Sequence, residues 1–195
     1  RFSKCTSRNV CWTYIMKTEN LERYLDSFGK YVVQQSRTNL TKGKKNVDKT
    51  LYNSIKFEVS TGTDGLSIEF YMADYGTFVD KGVSGASKKR SFKNWEGKDA
   101  PSPYSYTTKG PPIDILSKWI KKKGIKPKGT GRGRSKNTGQ YISGLAYLIS
   151  KKIKRDGIKG ISFFQRPIML GLKKFMPEIL KGLRDDILDE LKQVK

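Results

Sequence analysis

Few residues in this chain have the types and spacing to do chemistry, and the first candidates are two carboxylates. Asp74 and Asp80 flank a bend at Tyr75-Gly76, and paired carboxylates can serve acid–base catalysis or hold a metal. No other acidic residue clusters with them in sequence. Each therefore has a local role available: Asp74 as an acceptor for backbone amides of the bend, Asp80 as the partner of a lysine. The chain has no histidine, which excludes His-dependent triads and the usual zinc-finger ligand sets. Cys5 and Cys11 are separated by five residues, the spacing of neither a redox nor a zinc motif. They are two unpaired thiols in a reducing compartment or a single disulfide. The expectation is a protein that is not an enzyme and that uses no cofactor and no metal.

The remaining candidates are basic. Between 88 and 98, Lys88, Lys89, Arg90 and Lys93 interleave with Phe92 and Trp95, a mixture able to hold phosphates and stack on bases. The same two aromatics could instead pin a long loop to the domain or to a neighbouring subunit. From Lys126 to Lys136 the chain reads KPKGTGRGRSK. It lacks the GxxxxGK(S/T) arrangement and follows no apolar strand, so it reads as a mobile basic loop, with Arg132, Arg134 and Lys136 as contacts, and not as a phosphate loop.

The net charge is +22, from 40 Lys and Arg against 18 Asp and Glu. Such a field selects anionic partners, either nucleic acid or acidic protein surfaces. It is unevenly spread: residues 81–136 hold 16 basic against 3 acidic side chains, whereas residues 177–195 hold 4 against 5. One copy's end could thus attract another copy's middle, or the middle could face DNA. No apolar run approaches the ~20 residues that span a bilayer, and the N-terminus lacks the apolar segment of a signal peptide. A soluble location with no membrane partner is expected.

The elements that must position these residues are legible from periodicity. Ile55, Phe57 and Val59 alternate with Lys56 and Glu58; after TGTDG, Leu66, Ile68, Phe70 and Met72 alternate with Ser67, Glu69 and Tyr71. This is a β-hairpin with one apolar face. Two strands alone are marginal, so a third is expected, from near Tyr104–Thr107 or from another subunit. Leu21, Tyr24, Leu25, Phe28, Tyr31 and Val32 mark an amphipathic helix from Thr18 to Gln35, with Thr18 as cap. Residues 37–49 read as a basic linker. Pro111-Pro112 opens a helix over 113–123 with Ile113, Leu116, Trp119 and Ile120 on one face and Gly124 past its end. Another runs from about Thr138 to Asp156 with Tyr141, Ile142, Leu145, Leu148, Ile149 and Ile153 on one face. The last helical region starts near Pro167 and should break or kink at Pro177, after which Ile179, Leu180, Leu183, Ile187, Leu188 and Leu191 form an apolar stripe.

The fold class expected is α+β: a small antiparallel hairpin sheet against amphipathic helices, with long basic loops and a long C-terminal helical region. Residues 1–17 read as an N-terminal extension. Met16 resembles a translation start, and the residues before it are an upstream reading or an arm gripping a neighbour. Residues 18–195 read as one α+β domain with interface loops at about 83–112 and 126–137.

The hairpin with its YGTFVDKG continuation, the Pro-Pro segment leading into a Trp-bearing helix, and FFQRPI before the last helix resemble the head–tail connector, or tail-completion, proteins of tailed bacteriophages. The resemblance covers Thr18 to the C-terminus. It implies a virion protein of the neck, assembled in the host cytoplasm as a ring of six or twelve copies. Such a ring joins portal or adaptor ring proteins to tail proteins around the DNA channel, with transient duplex DNA as a further partner. The chain departs from that pattern in its length, its positive charge and its two basic loops. On this reading Tyr75, Gly76, Phe78, Val79, Asp80, Gly82, Phe92 and Trp95 lie at subunit or partner interfaces, with Tyr75, Phe78 and Val79 forming a packed corner. The rival reading, carried by the charge, is a free DNA- or RNA-binding protein.

Overall fold

The computed structural model describes residues 18–45, 48–62, 65–125, 132–134 and 141–193. Residues 1–17, with Cys5 and Cys11, and Lys136 lie outside the described residues. In chain order the elements are α1 (Glu19–Lys42), α2 (Thr50–Ser54), β1 (Lys56–Gly62), β2 (Gly65–Tyr71), α3 (Gly76–Lys81), β3 (Gly82–Val83), β4 (Ser91–Lys93), β5 (Asp99–Pro101), α4 (Ile113–Lys122), β6 (Arg132–Arg134), β7 (Tyr141–Ser143), α5 (Gly144–Asp156), β8 (Ile158–Lys159) and α6 (Gln165–Gln193). The fold is α+β. The described strands form four separate pairs, β1–β2, β3–β8, β4–β5 and β6–β7. The chain divides into two compact units, residues 1–31, 57–70 and 171–195, and residues 32–56 and 71–170.

In the first unit the hairpin alternates as its sequence requires, with Leu66, Ile68 and Phe70 half-buried between exposed neighbours. No third described strand joins it. Its apolar face is covered by helices instead. The Phe57 ring lies against Gly29, and Phe28 meets both Phe70 and Phe175 edge-on at 6.2 and 6.1 Å. Gly171 and Gly182 let α6 approach Phe28 and Tyr24 closely, where an added Cβ would come within 2.8 and 2.6 Å of their rings. Thr18 does not cap α1: its hydroxyl donates to Glu22 Oε1 at 3.0 Å. The free amides of Asn20 and Leu21 donate to the Asp186 carboxylate, at 3.1 and 2.9 Å. A carboxylate at a helix N-terminus satisfies orphan donors and meets the positive end of the dipole.

In the second unit α1 runs seven residues beyond the expected Gln35, through part of the supposed linker. Leu40 is fully buried there, and Arg37 donates to the carbonyls of Tyr52 and Ile55 at 3.1 and 3.0 Å. The segment looks polar because Thr38 and Thr41 return their hydroxyls to the carbonyls of Gln34 and Arg37, which hides the helix from a periodicity reading. α4 and α5 pack through Leu116, Ile120 and Ala146, flanked by Ile113, Leu145, Ile149 and Ile153. Trp119 and Leu148, read on the apolar faces of their helices, are exposed. α5 begins at Gly144, not Thr138, because Tyr141–Ser143 pair with Arg132–Arg134. The fold thus places Arg132 and Arg134 on a paired strand within the expected mobile loop.

Pro177 does not break α6, which is continuous over Gln165–Gln193. Pro177 is exposed, as is Lys173, so the carbonyl that loses its amide partner lies where solvent can serve it. Phe175 and Gly182 hold the helix against α1 on either side. Phe175→Ala is expected to cost about 3–5 kcal/mol, read as a lower urea midpoint, because its ring sits between Phe28 and Tyr31.

Candidate functional site

The YGTFVDKG segment is built from its hydrogen bonds. After β2, the Ala73 amide donates to Ser54 Oγ at 3.0 Å, the Gly76 amide to the Ala73 carbonyl at 2.7 Å, and the Thr77 hydroxyl to the Asp74 carbonyl at 3.0 Å. These turn the chain into α3, where side chains three and four apart share a face. Gly76 and Asp80 face inward, with Gly76 against Met72 and Leu51. Tyr75 and Phe78 face outward. The expected packed corner is therefore not a core feature: Phe78 is 42% exposed, its ring resting on Tyr104 at 4.4 Å, and Val79 is half-buried.

Asp80 is the buried member, 2% exposed. It is not committed to a lysine ion pair as expected. Its Oδ1 accepts from the Phe164 amide at 2.8 Å, and its own carbonyl accepts from the Ser162 amide at 3.0 Å. It thereby caps the start of α6. Burial holds its carboxyl above the usual carboxylate range, against the opposing pull of the Phe164 and Gln165 amides and the Lys81 charge. Asp74 is exposed, so the two carboxylates face different environments and form no acid–base pair. No group of three or more metal-ligating side chains occurs among the described residues.

Gly82 follows at φ +75°, and any Cβ there would collide with the backbone of Gly160 and Ile158. This is where β3 pairs with β8, Gly82 opposite Lys159 and Val83 opposite Ile158. Only glycine meets both demands.

The 83–112 stretch is ordered by polar contacts, not left as an open loop. The Ser84 amide donates to the Tyr104 carbonyl and the Tyr106 amide to the Ser84 carbonyl, both at 2.8 Å. This parallel bridge at Ser84 and Ser105 is the actual role of the segment expected to extend the hairpin. Arg90 is structural: its amide donates to Ser84 Oγ at 3.0 Å and its Nε to the Asp156 carbonyl at 2.9 Å. Phe92 sits in a small hairpin, β4–β5, opposite Ala100, with Lys81 Nζ 5.8 Å from its ring centre. Asn94 closes that hairpin by accepting from the Glu96 and Lys98 amides at 3.1 and 2.9 Å. Trp95, at the tip, is 52% exposed.

The basic residues differ in how far they are engaged. Lys93 pairs with Asp99 at 2.7 Å and Lys88 lies 4.0 Å from Asp156; such exposed pairs contribute ~0–1 kcal/mol. Arg155 beside it lowers the Asp156 carboxyl below its ordinary value. Lys88 and Lys89 are exposed. Beside the β4–β5 hairpin lies a cleft of about 610 Å³ whose lining includes Phe92, Lys93, Lys159, Arg166 and Met169. Sequence reasoning missed Lys159 and Arg166, which lie outside both expected basic loops and come to line one cleft only in the fold. Ser162, at φ +46°, supports this edge by accepting from the Lys93 amide at 3.1 Å.

No protein-family model matches the sequence, and comparisons with curated proteins and with solved structures found no significant match.

Asp80→Ala strands the Phe164 amide in a buried place and is expected to cost ~1–3 kcal/mol. Because the native carboxyl keeps its proton to higher pH than the unfolded one, its contribution is fully present below the unfolded value. It declines as pH rises through the native value. The stability gap between parent and variant, from urea midpoints, should therefore shrink from pH 3 towards 7. Phe78→Ala, being on an exposed ring, should cost much less than the ~3–5 kcal/mol of a buried one.

Proposed function

We propose that the protein is a structural ring component in the neck of a tailed bacteriophage, joining portal or adaptor ring proteins to tail proteins around the DNA channel. The observation that carries this reading is the set of exposed aromatics Tyr75, Phe78 and Trp95, held outward on α3, which the buried Asp80 bond anchors, and at the tip of a hairpin closed by Asn94. Large rigid aromatics are the preferred anchors of protein interfaces, and a monomer gains nothing from exposing them. The resemblance around YGTFVDKG supports the same assignment, with six or twelve copies per ring. The +22 charge is then used against acidic faces of neighbouring ring proteins, where it steers and orients more than it tightens.

The test is assembly. Purified particles should contain the chain by mass spectrometry, and the isolated protein should show rings by negative-stain imaging, alone or with its neck partners. Phe78→Ala with Trp95→Ala should abolish rings while leaving the circular dichroism melt nearly unchanged. Replacing Arg132, Arg134 and Lys136 with serine should leave folding intact and impair joining of heads to tails. A monomer absent from particles that binds duplex DNA with a steep salt dependence would overturn the proposal in favour of a free nucleic-acid-binding protein.

A further inference from the structure

α6 buries its less apolar side. Gly171, Phe175, Gly182, Asp186 and Glu190 are buried, with the glycines against Phe28 and Tyr24 and Asp186 against the start of α1. At 100° per residue, Met176, Leu180, Ile187 and Leu191 fall together on another side, and all four are exposed, Leu180 at 57% and Leu191 at 62%. The strong apolar stripe read from the sequence is thus real, but no described part of the chain covers it. A run of exposed aliphatics along ~22 Å of helix, at 1.5 Å per residue, is a surface that protein contacts normally cover.

We infer that a second copy of this chain covers it, through the same stripe in antiparallel orientation. Two observations select that occupant. Met176, Leu180, Ile187 and Leu191 are spaced four, seven and four residues apart, which reads the same in both directions. A two-fold axis between Leu183 and Arg184 sets Met176 over the copy's Leu191 and Leu180 over its Ile187. Such self-complementarity is what an isologous interface requires. The second observation is charge. In a chain of +22, copies repel almost everywhere, yet between Pro177 and Lys192 the charges outside the buried positions balance, exposed Lys181, Arg184 and Lys192 against exposed Glu178 and Asp189 with half-buried Asp185; the exposed Lys173 and Lys174 lie one turn before the stripe. Two of these cations are already paired within the helix, Arg184 with Asp185 at 2.9 Å and Lys192 with Asp189 at 3.0 Å. Along the middle of the stripe a partner with acidic rims would find little unpaired positive charge to meet, and an identical stripe meets little electrostatic opposition there. A two-fold sets its two copies in opposite directions, so this contact joins free chains and is distinct from the contacts among like-oriented copies that would close a ring.

Two experiments on the full chain test it. In sedimentation equilibrium the parent should associate in a concentration-dependent way, and Leu180→Gln with Leu191→Gln should weaken that association at least tenfold without changing the circular dichroism melt. In a Cys5→Ser, Cys11→Ser background, mixed Leu180→Cys and Ile187→Cys chains should oxidise to a 180–187 cross-linked pair, while either chain alone should not. A parent that stays monomeric, a Gln variant that associates as tightly as the parent, or cross-linking of 180 to 180 would overturn the inference. A free chain that does not form the 180–187 cross-link would overturn this contact, and rings built from the same chain would leave the ring proposal standing.

Discussion

The contact on which the rest depends is a buried carboxylate accepting a backbone amide: Asp80 Oδ1 to the Phe164 amide, 2.8 Å. A 29-residue helix leaves its first amides without partners, and the residues preceding α6 are two phenylalanines that cannot cap it. Asp80 supplies the acceptor from 84 residues away, which fixes α3 beside the start of α6. Asp186 does the same for α1, whose first amides it receives. Both long helices are therefore started by buried carboxylates that lie elsewhere in the sequence, and replacing Asp80 leaves a donor that is itself buried. A net hydrogen bond of this kind contributes ~0.5–1.5 kcal/mol, and a buried donor left without its partner costs ~1–3 kcal/mol.

The outward face of the second unit follows from that anchoring. With Gly76 and Asp80 inward on α3, Tyr75 and Phe78 have nowhere to go but outward. Gly82 then brings β3 onto β8, and the Ser84 bridge and the Arg90 hydrogen bond to the Asp156 carbonyl turn a glycine- and lysine-rich connection into ordered backbone. The result is a rigid frame carrying exposed aromatics and unevenly engaged cations. Some of the charge is internal architecture, Arg90 above all, and only part of it faces outward, as at Lys89. A net charge read from composition overstates how much is available to a partner.

No helix of the described residues is long and apolar enough to cross a membrane, so the exposed stripe of α6 is a surface feature of a helix that is amphipathic on both counts. One side is narrow and polar enough to seat against α1 through glycines and a carboxylate, and the other is aliphatic. Small residues on the seated side let the helices approach closely, and that close approach, more than apolar content, decides which side is inside.

The sequence alone determined the period-two alternation of β1 and β2, the 3.6-residue period of the first half of α1, and the Pro–Gly punctuation of α4. These are local rules, set by backbone geometry and solvent on one side of each element. It also located YGTFVDKG as the place where alternation fails. What only the tertiary structure decided was the use of each face: that Phe78 and Leu148 point out, that α1 continues through Leu40, that Pro177 is spanned, and that Asp80 caps a helix instead of pairing with a lysine. The physical reason is common to all four. Periodicity reports that an element has two unlike sides, but the partner that claims one of them, and the hydrogen bond that closes over 84 residues of chain, leave no mark in the local pattern.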